Sequence, residues 1–598
     1  MRVADYLAST IYNVGVEDVF LVTGGGLMFL TDGIACHDKL KPIPCLHEQA
    51  ASMAAISYAQ VRQGYGCCYV TTGCGGTNTV TGVLHAWQDH VPVVYVSGQC
   101  NRNEMMSSVN ATVRQIGLQE ADIVSIVSPI TKYAVTVMRP EDIVYCLEKA
   151  LYLAKNGNPG PVWLDIPMDV QEAEVDISQL RHYTPEVNIK TTCTNEEINY
   201  VKDALETAER PMIIVGQGVR LADACNELID FIEKYNIPMV GTRLGWDIYP
   251  RDKDLNIGLV DTRGTRAGNF SVQNADVVIC IGSRLCMMTT GYNYELFLRG
   301  AKKFIVVDID EEEHKKGTVH IDKIINSDAK EFLKSIPELK LNDFSDWIAK
   351  CNHWKKTWPM ITEEHMNDSN GISKFGFIDT LNRYLKHDSI VVTDAGATTE
   401  IPMQGLKFTN VSQRYLGSAS QCEMGYAIPG AIGASKGRKN NEVICIVGDG
   451  SLQMNIQELQ TIVTNKFPIK IFVWNNGGYG TIRGHQKTIF KGRFVGVDEA
   501  SGTAFPDLSK IANAYNLTYR KANSLLELEK CMEELFELEE PVICEVICWK
   551  EEINPISKGK MRMSDGERIA MPLEDMFPFL DRDEFTREML IEPIKWWI

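Results

Sequence analysis

The chain has 598 residues and a formal net charge of −18, with 44% apolar and 23% charged residues. That length exceeds what one hydrophobic core serves, so several domains are expected. The acidic balance argues against binding nucleic acid or an anionic membrane. The seventeen cysteines are scattered without a CxxC pair, and the sequence has no apolar secretory core and no run of about eighteen apolar residues. These features predict a cytoplasmic protein with free thiols, no structural zinc and no membrane segment.

Residues 1–185 show the pattern of an α/β domain. Predicted strands at Val19 to Val22 and Tyr69 to Thr72 are each followed by a glycine-rich turn. Another predicted strand ends at Leu46-His47-Glu48, and an alanine-rich helix, Gln49 to Gln60, comes next. By position alone, Glu48 lies in the first turn of that helix, where a carboxylate complements the helix dipole.

Residues 190–345 form a second predicted α/β region. Its strands end at Gly282-Ser283-Arg284 and at Asp308. The turn Gly216-Gln217-Gly218 lacks the third glycine of a dinucleotide fingerprint, so by itself it does not establish nucleotide binding. The mixed-charge segment Leu341 to Ser369 is predicted to be a linker that three tryptophans (Trp347, Trp354 and Trp358) pin to the surface.

Residues 370–548 contain a strand–helix–strand pattern. An apolar strand, Val443 to Val447, runs into Gly448-Asp449-Gly450, and an amphipathic helical pattern follows. A second strand, Ile469 to Trp474, ends at Asn475-Asn476. Both loops are expected at the carboxyl edge of a parallel sheet, where α/β proteins bind ligands.

The two loops of this pattern offer oxygen ligands beside a space suited to an anion. Asp449 supplies an anionic oxygen and Asn476 a neutral one, while the glycines let backbone N–H groups approach a phosphate. Mg²⁺ prefers a few protein oxygens plus phosphate oxygens, so this set favours a magnesium–phosphate site. A surface turn with an N-capping Asp449 is the alternative for the GDG triplet alone.

The GDG-to-NN spacing resembles the thiamine-diphosphate (ThDP) motif. In addition, HEQAA followed by TTGCGGTN resembles the cofactor-activating domain of the acetohydroxyacid synthase (acetolactate synthase) family. The resemblance implies three doubly wound parallel-sheet α/β domains: pyrimidine-binding (1–185), central (190–345) and diphosphate-binding (370–548), with a C-terminal tail (549–598). It also implies a homodimer or homotetramer with active sites shared between subunits.

The resemblance assigns roles to individual residues. Asp449, Asn476 and the carbonyl of Gly478 would hold Mg²⁺, and Glu48 would hydrogen-bond the aminopyrimidine ring of ThDP. Met424 would lie under the two cofactor rings and hold them folded together. The other cofactor contacts implied are Thr72, Asn78, Ala397, Thr398, Ser420, Gly450, Ser451, Tyr479 and Gly480. Ala397 and Thr398 stand where the family often has Gln and His, so Thr398 is expected to supply one diphosphate contact.

The family reaction decarboxylates a 2-oxo acid and transfers the two-carbon unit to a second carbonyl. Gly25, Gln119 and Lys132 are implied catalytic residues, although a solvated charge remains the alternative for Lys132. Leu118, Ile482 and His485 are the implied substrate pocket, and Leu118 replaces a usual aromatic residue. Arg483, His485 and Gln486 predict a polar pocket and a hydroxylated or charged acceptor such as a keto-sugar. A surface loop remains the alternative for Arg483.

In acetohydroxyacid synthases the central domain holds FAD. The matching positions here are Gly216, Gly218, Gly264, Gly282, Arg284 and Asp308. The chain departs from that family at Leu285-Cys286-Met287-Met288, where the family carries an acidic, arginine-containing stretch. FAD, ADP or no ligand therefore all remain open for this domain.

Three other functions are alternatives to pyruvate-dependent carboligation. Decarboxylases of this fold use active-site histidines, and no His-His pair occurs in the chain. A cyclic diketone hydrolase and a non-catalytic binding protein also use the scaffold. The tail has too many aromatic residues for a solvated segment and is expected to dock, either as an active-site lid or at an oligomer interface.

Overall fold

The structure, a computed structural model, describes residues 1–185, 192–552, 560–562 and 568–594. Among these residues, those of 1–188, 389–399 and 415–550 form one compact unit, and those of 189–388, 400–414 and 551–598 form another. Three six-stranded parallel sheets with flanking helices are distributed over the two units, two sheets in the first unit and one in the second. This confirms the predicted α/β class.

The first unit begins with a sheet of strand order β2-β1-β3-β4-β6-β5. Its strands are β1 (Asp18–Leu21), β2 (Lys41–Pro44), β3 (Gly66–Val70), β4 (Val93–Gln99), β5 (Tyr133–Thr136) and β6 (Val162–Pro167). Its helices are α1 (Val3–Asn13), α2 (Met28–Cys36), α3 (Glu48–Arg62), α4 (Cys74–Asn78), α5 (Val80–Gln88), α6 (Ile123–Val127), α7 (Ile143–Lys155) and α8 (Met168–Glu172). The register pairs Leu21 of β1 with both Pro44 and Tyr69, so the turns after β1, β2 and β3 meet at one edge.

The central sheet, in the second unit, has the order β12-β11-β10-β7-β8-β9. Its strands are β7 (Pro211–Val215), β8 (Met239–Gly241), β9 (Asn256–Leu259), β10 (Val277–Ile281), β11 (Lys303–Asp308) and β12 (Lys323–Asn326). Its helices are α9 (Asn195–Glu206), α10 (Gly218–Leu221), α11 (Cys225–Tyr235), α12 (Arg266–Asn274), α13 (Met287–Thr290), α14 (Ala329–Ser335) and α15 (Ser345–Thr357). The strand order reverses between β10 and β7, which makes their carboxyl ends the expected ligand crevice of this sheet.

The third sheet has the order β14-β13-β15-β16-β18-β17. Its strands are β13 (Ile390–Thr393), β14 (Arg414–Leu416), β15 (Val443–Gly448), β16 (Ile469–Asn475), β17 (Thr518–Ala522) and β18 (Val542–Ile547). The helices between Lys374 and Phe536 are α16 (Lys374–Asn382), α17 (Ala397–Gly405), α18 (Ala427–Gly437), α19 (Asp449–Leu452), α20 (Glu458–Asn465), α21 (Gly480–Phe490), α22 (Leu508–Ala514) and α23 (Leu525–Phe536). Strands β13, β15 and β16 are almost fully buried because helices cover both faces of a parallel sheet, which explains their unbroken apolar sequences.

Helices α3 and α18 pack closely in the first unit. A Cβ at Gly433 of α18 would lie 1.9 Å from the Ala54 carbonyl oxygen of α3 and 2.4 Å from the Ser57 hydroxyl. Only glycine permits that approach. The contact fixes the helix that begins at Glu48 against the helix that follows Met424 and Gly425.

The segment predicted to be a linker is folded into the second unit. Trp347 and Trp354 on α15 are buried in the same apolar cluster as β10 and β11 of the central sheet. The indole of Trp347 donates to the Pro211 carbonyl at 2.9 Å. A linker was predicted because the segment is rich in mixed charge, but its tryptophans make α15 part of the helical layer.

The described part of the tail adds the short hairpin β19 (Lys560–Arg562) and β20 (Arg568–Ala570) and the helix α24 (Arg582–Glu588). Phe585 and Leu573 are buried in the second unit's apolar cluster, and Trp354 donates to Glu588 at 2.9 Å. The rings of Phe577 and Phe579 are half-exposed and make an edge contact with each other, and the Arg582 guanidinium lies 5.6 Å from the centre of the Phe579 ring. Trp596 and Trp597 lie outside the described residues. None of the helices in the described ranges is long and apolar enough to cross a membrane.

Candidate active site

Glu48 begins α3 at the carboxyl edge of the first sheet. Its side chain is buried, and its Oε2 accepts a hydrogen bond from Asn78 Nδ2 at 2.9 Å. Its Oε1 has no hydrogen bond to any residue that the structure describes. The arrangement leaves one carboxylate oxygen available to share a proton with a ligand.

The turn after β3 joins Glu48 to Gln119. A Cβ at Gly73 would lie 2.0 Å from the Gln119 carbonyl oxygen, and Gly73 has a φ of +62°, so both space and backbone conformation require glycine. A Cβ at Gly75 in the same turn would lie 3.6 Å from Glu48 Oε1. The turn therefore brings two predicted catalytic residues to one place.

Gln119 itself has a left-handed backbone, with a φ of +61°. Its amide donates to the Cys74 sulfur at 3.6 Å, and the neighbouring Leu118 is 86% exposed. The buried carboxylate of Glu120 accepts from the backbone N–H groups of Ile116 and Gly117 at 2.9 and 3.2 Å. Glu120 thus holds the loop that presents Leu118 and Gln119.

Gly25 and Thr72 lie at the same edge, while Lys132 does not. Gly25 is exposed in the turn after β1, and the Thr72 hydroxyl is buried and donates to the Gly98 carbonyl at 3.0 Å. Lys132 directly precedes β5, at the opposite edge of the parallel sheet, and its ammonium donates to the carbonyls of Asn156 and Asn158 at 2.6 Å each. Burial lowers the pKa of Lys132 to about 8. The structure does not bring Lys132 to the residues with which it was expected to act.

The third sheet presents Asp449 beside Asn475-Asn476. The register pairs Gly448 with Trp474, so the residues that follow β15 and β16 are neighbours. The Asp449 carboxylate is buried and accepts from the backbone N–H groups of Gly450 and Gly478 at 2.8 and 3.1 Å. Burial raises its pKa, which the N–H donors partly offset.

This carboxylate has no cationic side chain as an ion-pair partner among the described residues. Those residues also contain no group of three or more His, Cys, Asp or Glu able to hold a metal. A cation at Asp449 would therefore need neutral oxygens, and the candidates are the Asn476 amide and the carbonyl of Gly478, whose N–H already bonds Asp449. This donor set fits Mg²⁺ with phosphate oxygens completing the shell.

Arg483 differs from its predicted role in a polar substrate pocket. Its buried guanidinium donates to the carbonyls of Asn476 and Gly477 at 3.2 Å each and to the Lys550 carbonyl at 2.6 Å. The Gln486 side chain likewise bonds the backbone of Val495: its Oε1 accepts from the Val495 N–H at 2.8 Å, and its Nε2 donates to the Val495 carbonyl at 3.2 Å. A sequence shows that a side chain is polar, but it does not show which backbone groups lie within its reach, so these contacts were not predicted.

His485 and Ile482 remain accessible on α21. The His485 Nδ1 pairs with the Thr481 carbonyl at 2.9 Å, and its side chain is exposed. Ile482 is 51% exposed. Of the three polar side chains predicted to line a substrate pocket, His485 is the exposed one.

Asp394 organises the turn that carries Ala397 and Thr398. It is buried and accepts from the backbone N–H groups of Gly425 and Ala427 at 3.0 and 2.9 Å. Thr398 donates to the Ala395 carbonyl at 2.9 Å. Asp394 therefore ties this turn to the backbone beside half-buried Met424. Sequence reasoning missed it, although an Asp after a buried strand was the available signal.

The remaining predicted cofactor residues lie in the same unit. Ser451 is buried in α19, and Tyr479 packs edge-on against Phe505 with ring centroids 5.6 Å apart. Ser420 lies on the Ser418–Met424 segment, and Gly450 and Gly480 begin or adjoin the helices after β15 and β16. The helical pattern predicted after GDG is divided into α19 and α20.

Asn455 and Glu458 connect the first sheet, which carries Glu48, to the third sheet, which carries Asp449. Asn455 Nδ2 lies 3.2 Å from Gln49 Oε1 and donates to the Gly425 carbonyl at 2.9 Å. Buried Glu458 accepts from the Leu46 backbone N–H at 3.0 Å. These bonds link the start of α3 to the segment around Met424. Neither residue was predicted from sequence, because their partners lie about 400 positions away in the chain.

In the second unit, the positions matched to FAD mostly meet at the reversal of strand order. Gly218 N donates to the Gly282 carbonyl at 2.9 Å, so the turns after β7 and β10 touch. Asp308 ends β11, and its Oδ2 lies 3.4 Å from buried His314 Nε2. Arg284 lies in the turn after β10, whereas Gly264 lies apart from this set, in the turn after β9.

Two parallel sheets in one unit, with a buried glutamate at a helix start and an Asp–Asn–Gly set at the third sheet, agree with the arrangement that the resemblance to ThDP-dependent enzymes implies. Three family models match the chain: "Thiamine pyrophosphate enzyme, N-terminal TPP binding domain" at residues 1–126, the central domain at 198–336 and the "C-terminal TPP binding domain" at 394–546. Thiamine pyrophosphate is another name for ThDP.

Similar proteins indicate which branch of the ThDP-dependent enzymes the chain belongs to. The chain is 32% identical over 550 residues to an acetolactate synthase large subunit of Lactococcus lactis subsp. lactis, covering 91% of this chain and 92% of the relative. It is 31% identical to that of Corynebacterium glutamicum, covering 98% and 93%, and 30% identical to that of Porphyra purpurea, covering 90% and 91%. The protein belongs to the acetolactate synthase-like family of ThDP-dependent enzymes.

Proposed function

We propose that the protein is a ThDP- and Mg²⁺-dependent carboligase that decarboxylates pyruvate and transfers the two-carbon unit to a second carbonyl compound. The observation that carries the proposal is that the first unit holds both a buried Glu48 with one carboxylate oxygen unbonded and a buried Asp449 carboxylate without a cationic partner among the described residues. The similarity to acetolactate synthase large subunits supports carboligation over simple decarboxylation.

Each proposed residue has a task that its surroundings support. Asp449, the Asn476 amide and the Gly478 carbonyl would hold Mg²⁺ against the diphosphate. When bound, ThDP would supply a carbon nucleophile and a cationic ring that takes up the electron pair released with carbon dioxide. Glu48 Oε1 would share a proton with the cofactor's pyrimidine ring, while Asn78 fixes the other carboxylate oxygen. The Gln119 amide is proposed to donate to the substrate carbonyl oxygen.

We further propose that a second copy of the chain completes the site. Large apolar side chains are exposed on the Gln119 loop and at or after the end of α21: Leu118 is 86%, Val495 75% and Phe490 48% exposed. Exposed apolar side chains of this size favour contact with a protein partner over contact with water. A homodimer, or a homotetramer built from it, is the assembly proposed, and the free state of all seventeen cysteines supports a reducing, cytoplasmic setting.

We also propose that the crevice between β10 and β7 binds FAD. Asp308 at the end of β11 and the turns at Gly216 and Gly282 supply the carboxylate and the backbone expected beside a dinucleotide. A visible flavin absorption band in the purified protein is the expected result. A protein that is colourless after incubation with FAD would contradict it.

The reaction is tested with purified protein, ThDP, Mg²⁺ and pyruvate, together with 2-oxo acid, aldehyde and keto-sugar acceptors. Carbon dioxide release with a new carbon–carbon bond, followed by NMR, is the expected outcome. Polar acceptors are included because the His485 side chain is exposed on α21. Acetaldehyde as the sole product with every acceptor would identify a decarboxylase instead. Ring opening of a cyclic diketone without carbon dioxide would identify a hydrolase.

A further inference from the structure

A buried ionic cluster lies under the Ser418–Met424 segment. His85 on α5 is fully buried, and its Nδ1 lies 2.6 Å from Glu423 Oε1. Its Nε2 lies 3.3 Å from Asp89 Oδ2, and the Asp89 side chain is 1% exposed. One imidazole therefore lies between two carboxylates that water barely reaches.

The two carboxylates in turn hold the backbone and side chains of the segment. Asp89 Oδ2 accepts from the Ala419 backbone N–H at 2.9 Å. Glu423 Oε2 accepts from the Ser418 hydroxyl. That hydroxyl itself accepts from the Cys422 N–H at 3.1 Å. The segment is thus tied to α5 through acceptors whose placement depends on His85.

We propose that His85 is a positioning residue that, by holding Asp89 and Glu423 together, keeps the Ser418–Met424 segment in the conformation that binds ThDP. The inference rests on the proposed function, because Ser420 and Met424 are the residues through which the segment would meet the cofactor. It goes further by giving a role to a histidine outside the set of residues proposed to contact the cofactor or the substrate.

The protonation of His85 sets the pH range over which it holds Asp89 and Glu423 together. Burial alone would lower the pKa of His85, but the charges of Glu423 and Asp89 outweigh it and raise that pKa to about 10. The pKa of Asp89 is lowered, against the effect of its own burial, by its bond to His85. Tyr426 is the other titratable group facing the ring, with centroids 4.9 Å apart. Because the folded-state pKa of His85 is raised, its contribution is complete below about 6.5 and is lost as pH rises towards about 10.

The substitution E423Q tests the proposal because it keeps the shape of the side chain and removes one charge. Without that charge the pKa of His85 falls, so the imidazole becomes neutral within the accessible pH range. The dissociation constant of ThDP, measured with apoprotein and Mg²⁺ from pH 6 to 9, is expected to rise relative to wild type by roughly tenfold towards pH 9, a usual coupling between sites. Taking the ratio to wild type removes the titration of ThDP itself.

A matched control is E148Q, which removes the same charge from the exposed His182–Glu148 pair, 2.7 Å apart in the same unit. Its ratio is expected to stay near one at every pH. A pH-independent ratio for E423Q, including a ratio of one, would overturn the proposal, because a purely structural loss does not follow a titration.

The native protein gives a second measurement that does not depend on a variant folding. With labelled histidines, NMR is expected to show His85 protonated to about pH 10. A His85 signal that titrates near 6.5 would also overturn the proposal. Because the readouts are ThDP binding and a titration, they stay informative if carboligation itself is not found.

Discussion

At the scale of single residues, the proposed chemistry depends on Glu48 as a carboxylate. E48Q keeps the size of the side chain and its place at the start of α3 but cannot share a proton in the same way. Turnover is expected to fall by roughly 10²–10⁴, with ThDP affinity little changed. Steady-state rates and cofactor titration measure the two effects separately. E141Q, at an exposed position, is the control, and an E48Q enzyme with full turnover would remove the proposed mechanism.

Arg483 shows that the polarity of a side chain does not by itself predict which groups it contacts. It was expected in the substrate pocket, yet its guanidinium holds three carbonyls around the proposed metal ligands. R483M is therefore expected to weaken Mg²⁺ binding by about tenfold, whereas the affinity for pyruvate stays similar, because a lost charged hydrogen bond costs about 1.5–3 kcal/mol. Titration with Mn²⁺ followed by electron paramagnetic resonance measures the loss.

The exposed Arg493 provides the comparison for that experiment, and R493M is expected to bind the metal as wild type does. R483K tests geometry, because a lysine ammonium cannot reproduce the planar fork of an arginine. If R483M bound Mg²⁺ normally but raised the KM for the acceptor, Arg483 would belong to the substrate pocket after all.

At the scale of elements, the contact between α3 and α18 joins the two sheets of the first unit. G433A places a methyl group 1.9 Å from the Ala54 carbonyl oxygen, so the helices must separate. The free energy of unfolding is expected to drop by about 1–3 kcal/mol, as for other overpacked contacts. Chemical denaturation measures it. G484A on α21, where an added Cβ meets nothing within 4 Å, is expected to be near neutral, and equal losses in both variants would contradict the packing argument.

The strand–helix–strand element around Asp449 shows which features of an element a sequence predicts well. Buried strands β15 and β16 were expected from their apolar runs and lie within a residue or so of the predicted ends. The helix between them is divided into α19 and α20, and Asn455, between the two, bonds the Gly425 carbonyl with its side chain. A local pattern predicts helical residues, but it does not reveal the distant contacts of the residues between them.

At the scale of the whole molecule, sharing of sites between subunits is testable by complementation. E48Q and D449N each remove one half of the proposed site. When mixed oligomers form from the two inactive variants, activity is expected to recover to about a quarter of wild type, because half the dimers are mixed and each holds one intact site. Mixed dimers without activity would show that both halves come from one chain.

The division into domains at 185, 345 and 548 and the lid role of the tail remain predictions. The described tail residues up to 594 pack on the second unit, through Phe585 and Glu588. The basic residues of the tail, Lys558, Lys560 and Arg562, lie where the structure describes no side chains.

The sequence alone determined the α/β class and the strand ends, and it predicted the roles proposed for Asp449 and Asn476 from local pattern and the role of Glu48 from the family resemblance. It did so because buried strands need apolar runs and turns at their carboxyl ends can be recognised locally. Only the tertiary structure decided that Arg483 serves the backbone, that Lys132 lies at the other edge of its sheet, and that His85 lies between two carboxylates. The physical reason is that hydrogen bonding and desolvation depend on distances between residues far apart in the chain, which no local pattern contains.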